Sequence, residues 1–465
     1  MRSLLAIPPR SGFVQPLAQP DILRQSKFGL HFILAQTRPT AKCRLAQTLG
    51  GQNHCNVIRI GTEAQRTGMN PARTLGQYCL AALVAGSASS CGMPTSQTEP
   101  AAPAVVPARW EPILLAHPRH RHTATVLADG RVLIAGGDDE ESINTTEIYE
   151  PTAKTLTSGP QLLGRHIWHA AAAIAGGVLI AGGLDLGDAS RADVSRGKAT
   201  AVGDTSDASI VGIDNRGSAS SVGSMMFARQ NFTMTPLLDG TVLVFGGAGR
   251  GAETTAEIFD PRTRRFARTG DILVKRFGCP ATIMTDGRVL LTGGTSADEA
   301  TYNARIADAE MYDPLARTFT KTGSMKRSRW GHTSTLLPDG RVLIAGGINE
   351  EEGITASAEL YDPKNGMFRE IPPMRLPRSG HAAVLLADGR VLIMGGASHI
   401  GRSDMILRSA EVFDTSLEKF VETEPMRTAR EDHSATLLKT GEVLVVGGWT
   451  GGNSENSGEL FRLGR

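Results

Sequence analysis

Seven arginines recur at one place in a repeating pattern: Arg119, Arg165, Arg229, Arg276, Arg329, Arg378 and Arg430. A guanidinium presents its N–H donors in a fixed fork suited to carboxylates, so seven around one channel would attract acidic ligands. Six glutamates share the period: Glu147, Glu257, Glu310, Glu359, Glu411 and Glu459. Ion pairing within each repeat therefore competes with an open arginine ring, and pairing is the favoured expectation. The second repeat has Val211 where the glutamate is expected, which would leave Arg165 uncommitted. Histidines follow the same phase at His122, His169, His332, His381 and His433, with Phe232 and Cys279 in the two remaining places. A residue kept in phase with a repeat usually does structural work, so these read as hydrogen-bonded core imidazoles and no metal site is expected. His120 and His166 are out of phase on the arginine face and join the arginines as candidate ligand contacts. The acidic runs Asp138–Glu141 and Asn349–Glu352 lack calcium-loop spacing and read as solvated or arginine-paired.

Something must hold these residues in register, and glycine doublets mark it. They close apolar strands at Gly136-Gly137, Gly182-Gly183, Gly246-Gly247, Gly293-Gly294, Gly346-Gly347, Gly395-Gly396 and Gly447-Gly448, at spacings of 46, 64, 47, 53, 49 and 52 residues. Such a period makes residues from about 110 to 461 one repeat domain. Each copy reads as four short strands with turn chemistry between them and no helical period. Asp-Gly at 129–130, 239–240, 286–287, 339–340 and 388–389 predicts a two-residue hairpin with positive φ at both residues. Asp-Pro at 260–261, 313–314 and 362–363 predicts the turn into the fourth strand. The second strand, as in Val-Leu-Ile-Ala or Val-Leu-Val-Val, is apolar without alternation, so both its faces must be buried.

With its glycine doublets, Glu, Tyr-Asp-Pro and following aromatic in seven copies, the chain resembles the kelch-repeat family. The resemblance implies an all-β, seven-bladed kelch β-propeller with four antiparallel strands per blade. Residues 109–116 match the fourth-strand pattern of 419–426 and are expected to close the last blade after Phe461, with Trp110 as anchor. Blade two is irregular, with a long segment from Leu184 to Asp207 and a third strand expected at Ser209–Asp214. Long loops on the face of strand-one entry predict binding there, and tight turns predict a uniform opposite face. In kelch adaptors, arginines near this entry contact acidic peptides, which implies a module that binds a protein or glycan. The alternative class is a propeller enzyme, either acting on acidic sugars like a sialate mutarotase or resembling galactose oxidase. Galactose oxidase uses copper with a cysteine-linked tyrosine, whereas Tyr149, Tyr312 and Tyr361 here are repeat tyrosines and only Tyr302 is out of phase near Cys279. No catalytic residues and no cofactor are therefore expected.

Residues 1–90 carry ten Lys and Arg against Asp21 and Glu63, a local charge of +8, while the remainder is about −6. The basic balance thus belongs to the leader, and nucleic acid is not expected as a partner. Residues 75–91, LGQYCLAALVAGSASSC after Arg73, resemble a bacterial lipoprotein signal peptide with Cys91 as the lipidated residue. The organisation expected is 1–68 as an extension upstream of a start at Met69, 69–90 as signal peptide, 91–107 as a Pro/Ala-rich tether and 108–465 as the propeller. That implies a monomer in the bacterial cell envelope, anchored by lipid to the outer membrane or secreted.

Overall fold

The computed structural model describes residues 106–138, 144–164, 166–185, 203–204, 207–212, 219–400 and 403–464. All lie in the second of the chain's two units, Gln97–Arg465; the leader, Cys91 and the tether up to residue 105 fall outside the described residues, while Val106, expected in the tether, is bonded to blade six through its N–H to Glu422 O at 2.8 Å. The described residues form a β-propeller of seven four-stranded antiparallel sheets, with one short 3-10 helix at Glu299–Thr301. Blade five shows the plan: Thr333–Leu336, Val342–Ala345, Ala358–Asp362 and Met367–Ile371, paired in sequence order. Its second strand is fully buried, as its unbroken apolar run requires. The core lies between blades; Ile344 of blade five, for example, packs with Leu290 and Met311 of blade four.

The ring closes through Ala108–Leu114, which pairs with Ser457–Leu463 and becomes the fourth strand of blade seven. Trp110 lies opposite Phe461 with ring centroids 4.9 Å apart, the place held elsewhere by pairs such as Tyr361 and Phe368 at 4.8 Å. Its indole Nε1 donates to the Glu424 carbonyl at 2.7 Å, tying blade six to seven. Closure therefore gives the last blade the same four strands as the others and covers the edge of Ser457–Leu463.

The Asp-Pro pairs turn into the fourth strand as expected, as between Ala256–Asp260 and Arg265–Arg268, but two expectations for the hairpin face need correction. In the Asp-Gly hairpins the Leu127 N–H donates to Arg131 O and the Gly130 N–H to Leu127 O, which encloses three residues, and only Gly130 takes positive φ. Asp129 instead accepts from the Arg131 backbone N–H at 3.0 Å and from its Nε at 2.8 Å. Nor is the hairpin face uniform, because blade two turns through Ala175-Gly176 alone, with Ile174 opposite Gly177. The third strand of blade two is Asp207–Gly212, so Ser209 lies opposite Ile180 where other blades place glutamate. Val211 is thus two residues out of that register.

Candidate functional site

The arginines expected to face a ligand are inside the protein. Arg119, Arg229, Arg276, Arg329, Arg378 and Arg430 are each at most 1 % exposed. Each Nη2 meets its own blade's glutamate, at 2.9 Å for Glu147, 2.7 Å for Glu257, 2.6 Å for Glu310, 2.9 Å for Glu359, 2.7 Å for Glu411 and 3.0 Å for Glu459. Each Nη1 donates to the carbonyl of the first glycine in the doublet, as Arg329 does to Gly346 at 2.9 Å. The second carboxylate oxygen accepts from the chain entering the blade, as Glu359 does from the Lys326 N–H at 2.7 Å. Burial lowers the affinity of Arg229, Arg329, Arg378 and Arg430 for the proton, and the facing carboxylate opposes that. Six positive charges matched by six negative ones hold blades together and present no guanidinium ring to solvent.

Why two glycines follow strand two is also visible. In blade five, Gly346 and Gly347 have φ of 65° and 96°. A Cβ on Gly346 would lie 2.4 Å from the Arg378 carbonyl of the next blade, and one on Gly347 would lie 2.8 Å from Trp330 O. The second glycine's N–H donates to that next carbonyl, at 2.8 Å from Gly347 to Arg378, and all seven junctions repeat the bond. The doublet is thus a backbone joint between blades, whose carbonyl also receives the arginine.

Blade two keeps the joint and changes the spoke. The Gly137 N–H donates to His166 O, and the His166 Nδ1 meets Gly182 O at 2.9 Å, so His166 occupies the arginine's place. Arg165, one residue earlier, lies outside the described residues. His120 packs on the loop face, with Nδ1 2.9 Å from Ser454 Oγ, Nε2 3.6 Å from Asp138 and its ring 5.2 Å from Trp449. Asn349 and Glu352 form a capped turn, with Glu352 on Arg327 at 2.5 Å.

The phased histidines are buried, and burial lowers their proton affinity, to a pKa of about 3 for His169, His332 and His433. Their Nε2 atoms reach the hydroxyl of the preceding blade: Ser434 for His122, Thr123 for His169, Thr292 for His332 and Thr333 for His381. For His433 that neighbour, one residue past His381, is Ala382, and neither ring nitrogen has a hydrogen-bond partner.

A different ring lies one residue before the phased histidines. Arg121, Trp168, Asn231, Gly278, Gly331, Gly380 and Asp432, one per blade, all have φ between 50° and 68°. Five of their N–H groups donate to the preceding blade's carbonyl, such as Asn231 to Trp168 at 3.0 Å and Asp432 to Gly380 at 2.9 Å. The backbone demands a left-handed conformation, which glycine supplies without strain in blades four to six. Blades seven, one, two and three instead carry Asp432, Arg121, Trp168 and Asn231. Arg121 bridges this arc, with its guanidinium carbon 4.8 Å from the Trp168 ring and its Nε 3.3 Å from Asp432. These residues line an axial cavity of about 300 Å³.

On the glycine side, larger rings fill the space. A Cβ on Gly278 would sit 2.5 Å from Trp330 Nε1, and Arg305 lies 5.4 Å from the Trp330 ring. Tyr302, 61 % exposed, stacks on Phe277 at 6.2 Å. Three of the chain's four tryptophans, Trp168, Trp330 and Trp449, thus stand on this face, half-buried. Beside them, burial and the Asp432 charge raise Glu431 to a pKa of about 7, against the pull of Arg121. Sequence reasoning missed this arc; its signal was the departure from glycine two residues after the spoke residue, which is arginine in six blades and His166 in blade two.

A family model described as Kelch motif matches residues 329–375, which span blade five and its entry. A segment of 122 residues, 24 % of this chain, is 30 % identical to Spermatocyte protein spe-26 of Caenorhabditis elegans. That match spans 20 % of the relative's own length. Among solved structures, a fungal alcohol oxidase of the AA5 family in complex with copper aligns with a TM-score of 0.60 at 15 % identity, over 77 % of this chain and 76 % of that one. This likeness is one of fold. Among the described residues no group of three or more His, Cys, Asp or Glu converges as metal ligands, and four of the five phased imidazoles, those of His122, His169, His332 and His381, are bonded to hydroxyls. Cys279 is buried, which raises its thiol to a pKa of about 11, and Tyr302 is turned to Phe277 at the rim.

Proposed function

Taking as premise that this chain is a kelch-repeat β-propeller, we propose that it is a binding module whose ligand is a glycan seated over the axial mouth of the loop face. The observation that carries this reading is the ring of left-handed residues, where Trp168 occupies a backbone conformation that is unfavourable for a bulky side chain. Strain kept at a cavity rim, with glycine used at the equivalent place in three other blades, fits selection for what the side chain touches. Indole and phenol faces stack on apolar sugar faces, and Arg121, Asn231 and Asp432 hydrogen-bond hydroxyls or acidic substituents. The full chain applied to an array of neutral and acidic glycans should retain a defined subset, lost in Trp168→Ala. Retention of a protein but no glycan, or glycan binding unchanged in that variant, would overturn the reading.

Glu431 supports a second reading from the enzyme class. A carboxyl that titrates near neutrality beside Asp432 suits acid–base exchange on a sugar ring. Anomer interconversion of an acidic sugar, present in the full chain and lost in Glu431→Gln, would favour it over binding alone. We further propose export with lipid at Cys91, supported by the apolar run and small residues before it. Radiolabelled fatty acid should enter the chain but not Cys91→Ala.

A further inference from the structure

The hairpin face of the other end carries a cavity of about 770 Å³ beneath blade two. It arises from what two successive turns lack. In blades one, four, five and six the residue after Asp-Gly is arginine, and its guanidinium pairs with that aspartate, at 2.7 Å for Arg131, Arg288 and Arg341 and 2.6 Å for Arg390. Arg341 also reaches Glu418 of the next blade at 2.6 Å, covering the groove between blades. Blade two has no aspartate in this turn and Gly177 in the arginine's place; blade three has Thr241. The groove is therefore uncovered, and Ala173, Ile174, Val126, Leu127 and Leu237 line it.

Asp239, at the exposed rim of its wall, makes no ion pair within 4 Å among the described residues, although it attracts Arg262 from farther off. Its Oδ1 accepts from the Thr241 N–H at 2.9 Å and hydroxyl at 2.6 Å, while Oδ2 has no ion-pair partner among the described residues. The other charged groups in the lining are committed, Asp129 to Arg131 and Arg262 to Asp260 at 3.1 Å. We propose that this cavity is a second binding site, for a small aliphatic or aromatic amine. The hydrocarbon would occupy the apolar groove and the ammonium would meet Asp239 Oδ2, a complement of shape and charge. It is separate from the axial mouth, and its occupancy does not depend on glycan binding.

Calorimetric titration of the full chain with butyl-, hexyl- and octylammonium, against the matching carboxylates, tests it. Amines should saturate one site, tightening about fourfold per added methylene, and carboxylates should not bind there. Asp239→Asn should weaken amine binding by roughly fivefold. Thr241→Arg, which restores the turn of blades one and four, should weaken it further while the fold is kept. Absence of saturation, equal binding of carboxylates, or affinity unchanged in both variants would overturn the proposal.

Discussion

Blades five and two share a joint and differ in nearly everything attached to it. Both end strand two in a glycine doublet whose second N–H binds the next blade's entry carbonyl. Blade five adds Arg329 and Glu359 as a buried spoke, an arginine-clamped hairpin and glycine at the axial ring. Blade two has His166 and Ser209, a bare Ala-Gly hairpin and Trp168 at that ring. The backbone joint is therefore what the repeat cannot lose, whereas the charged spoke is replaceable. Departures from the repeat also coincide, on both faces of the same blade, with both cavities.

The largest test removes the spoke where it is intact. Glu359→Ala strands a buried guanidinium and should cost about 3–5 kcal/mol in urea unfolding, whereas Ser209→Ala in blade two should cost under about 1 kcal/mol. Equal losses would erase the contrast. Next, installing the spoke in blade two sharpens it: in a double-mutant cycle, His166→Arg and Ser209→Glu should couple favourably by about 1–3 kcal/mol. Third, pH separates the two axial rings. The neutral histidines take up protons below 6.5 when unfolded but only near 3 when folded, so stability should fall as pH drops through that window. Glu431 acts with the opposite sign, its contribution waning as pH rises from 4.5 through about 7, and Glu431→Gln should flatten that limb. The smallest effect is Ala382→Ser, which supplies the hydroxyl that His433 lacks and should stabilise by about 0.5–1 kcal/mol in the same assay.

Much of this was legible in residue spacing. The doublets, buried second strands and the match of 109–116 to a fourth strand led to the blades and their closure, because period and apolar pattern report directly on backbone pairing. The Arg–Glu spokes followed from shared phase. Blade two resisted for a physical reason. Counting aligned Arg165 and Val211 with the repeat, but the joint's hydrogen bonds select His166, and strand pairing selects Ser209. The axial arc was hidden because a left-handed φ at Trp168 is imposed by neighbouring blades, and nothing local to that residue announces it.

Trp168→Gly tests the central claim most directly, by thermal unfolding and glycan binding measured on the same full-length preparation. Glycine relieves the left-handed strain, so the variant should unfold at the same temperature or a few degrees higher while glycan binding is lost. A lower unfolding temperature with binding retained would show that Trp168 serves packing, and would contradict the placement of the site at the axial mouth.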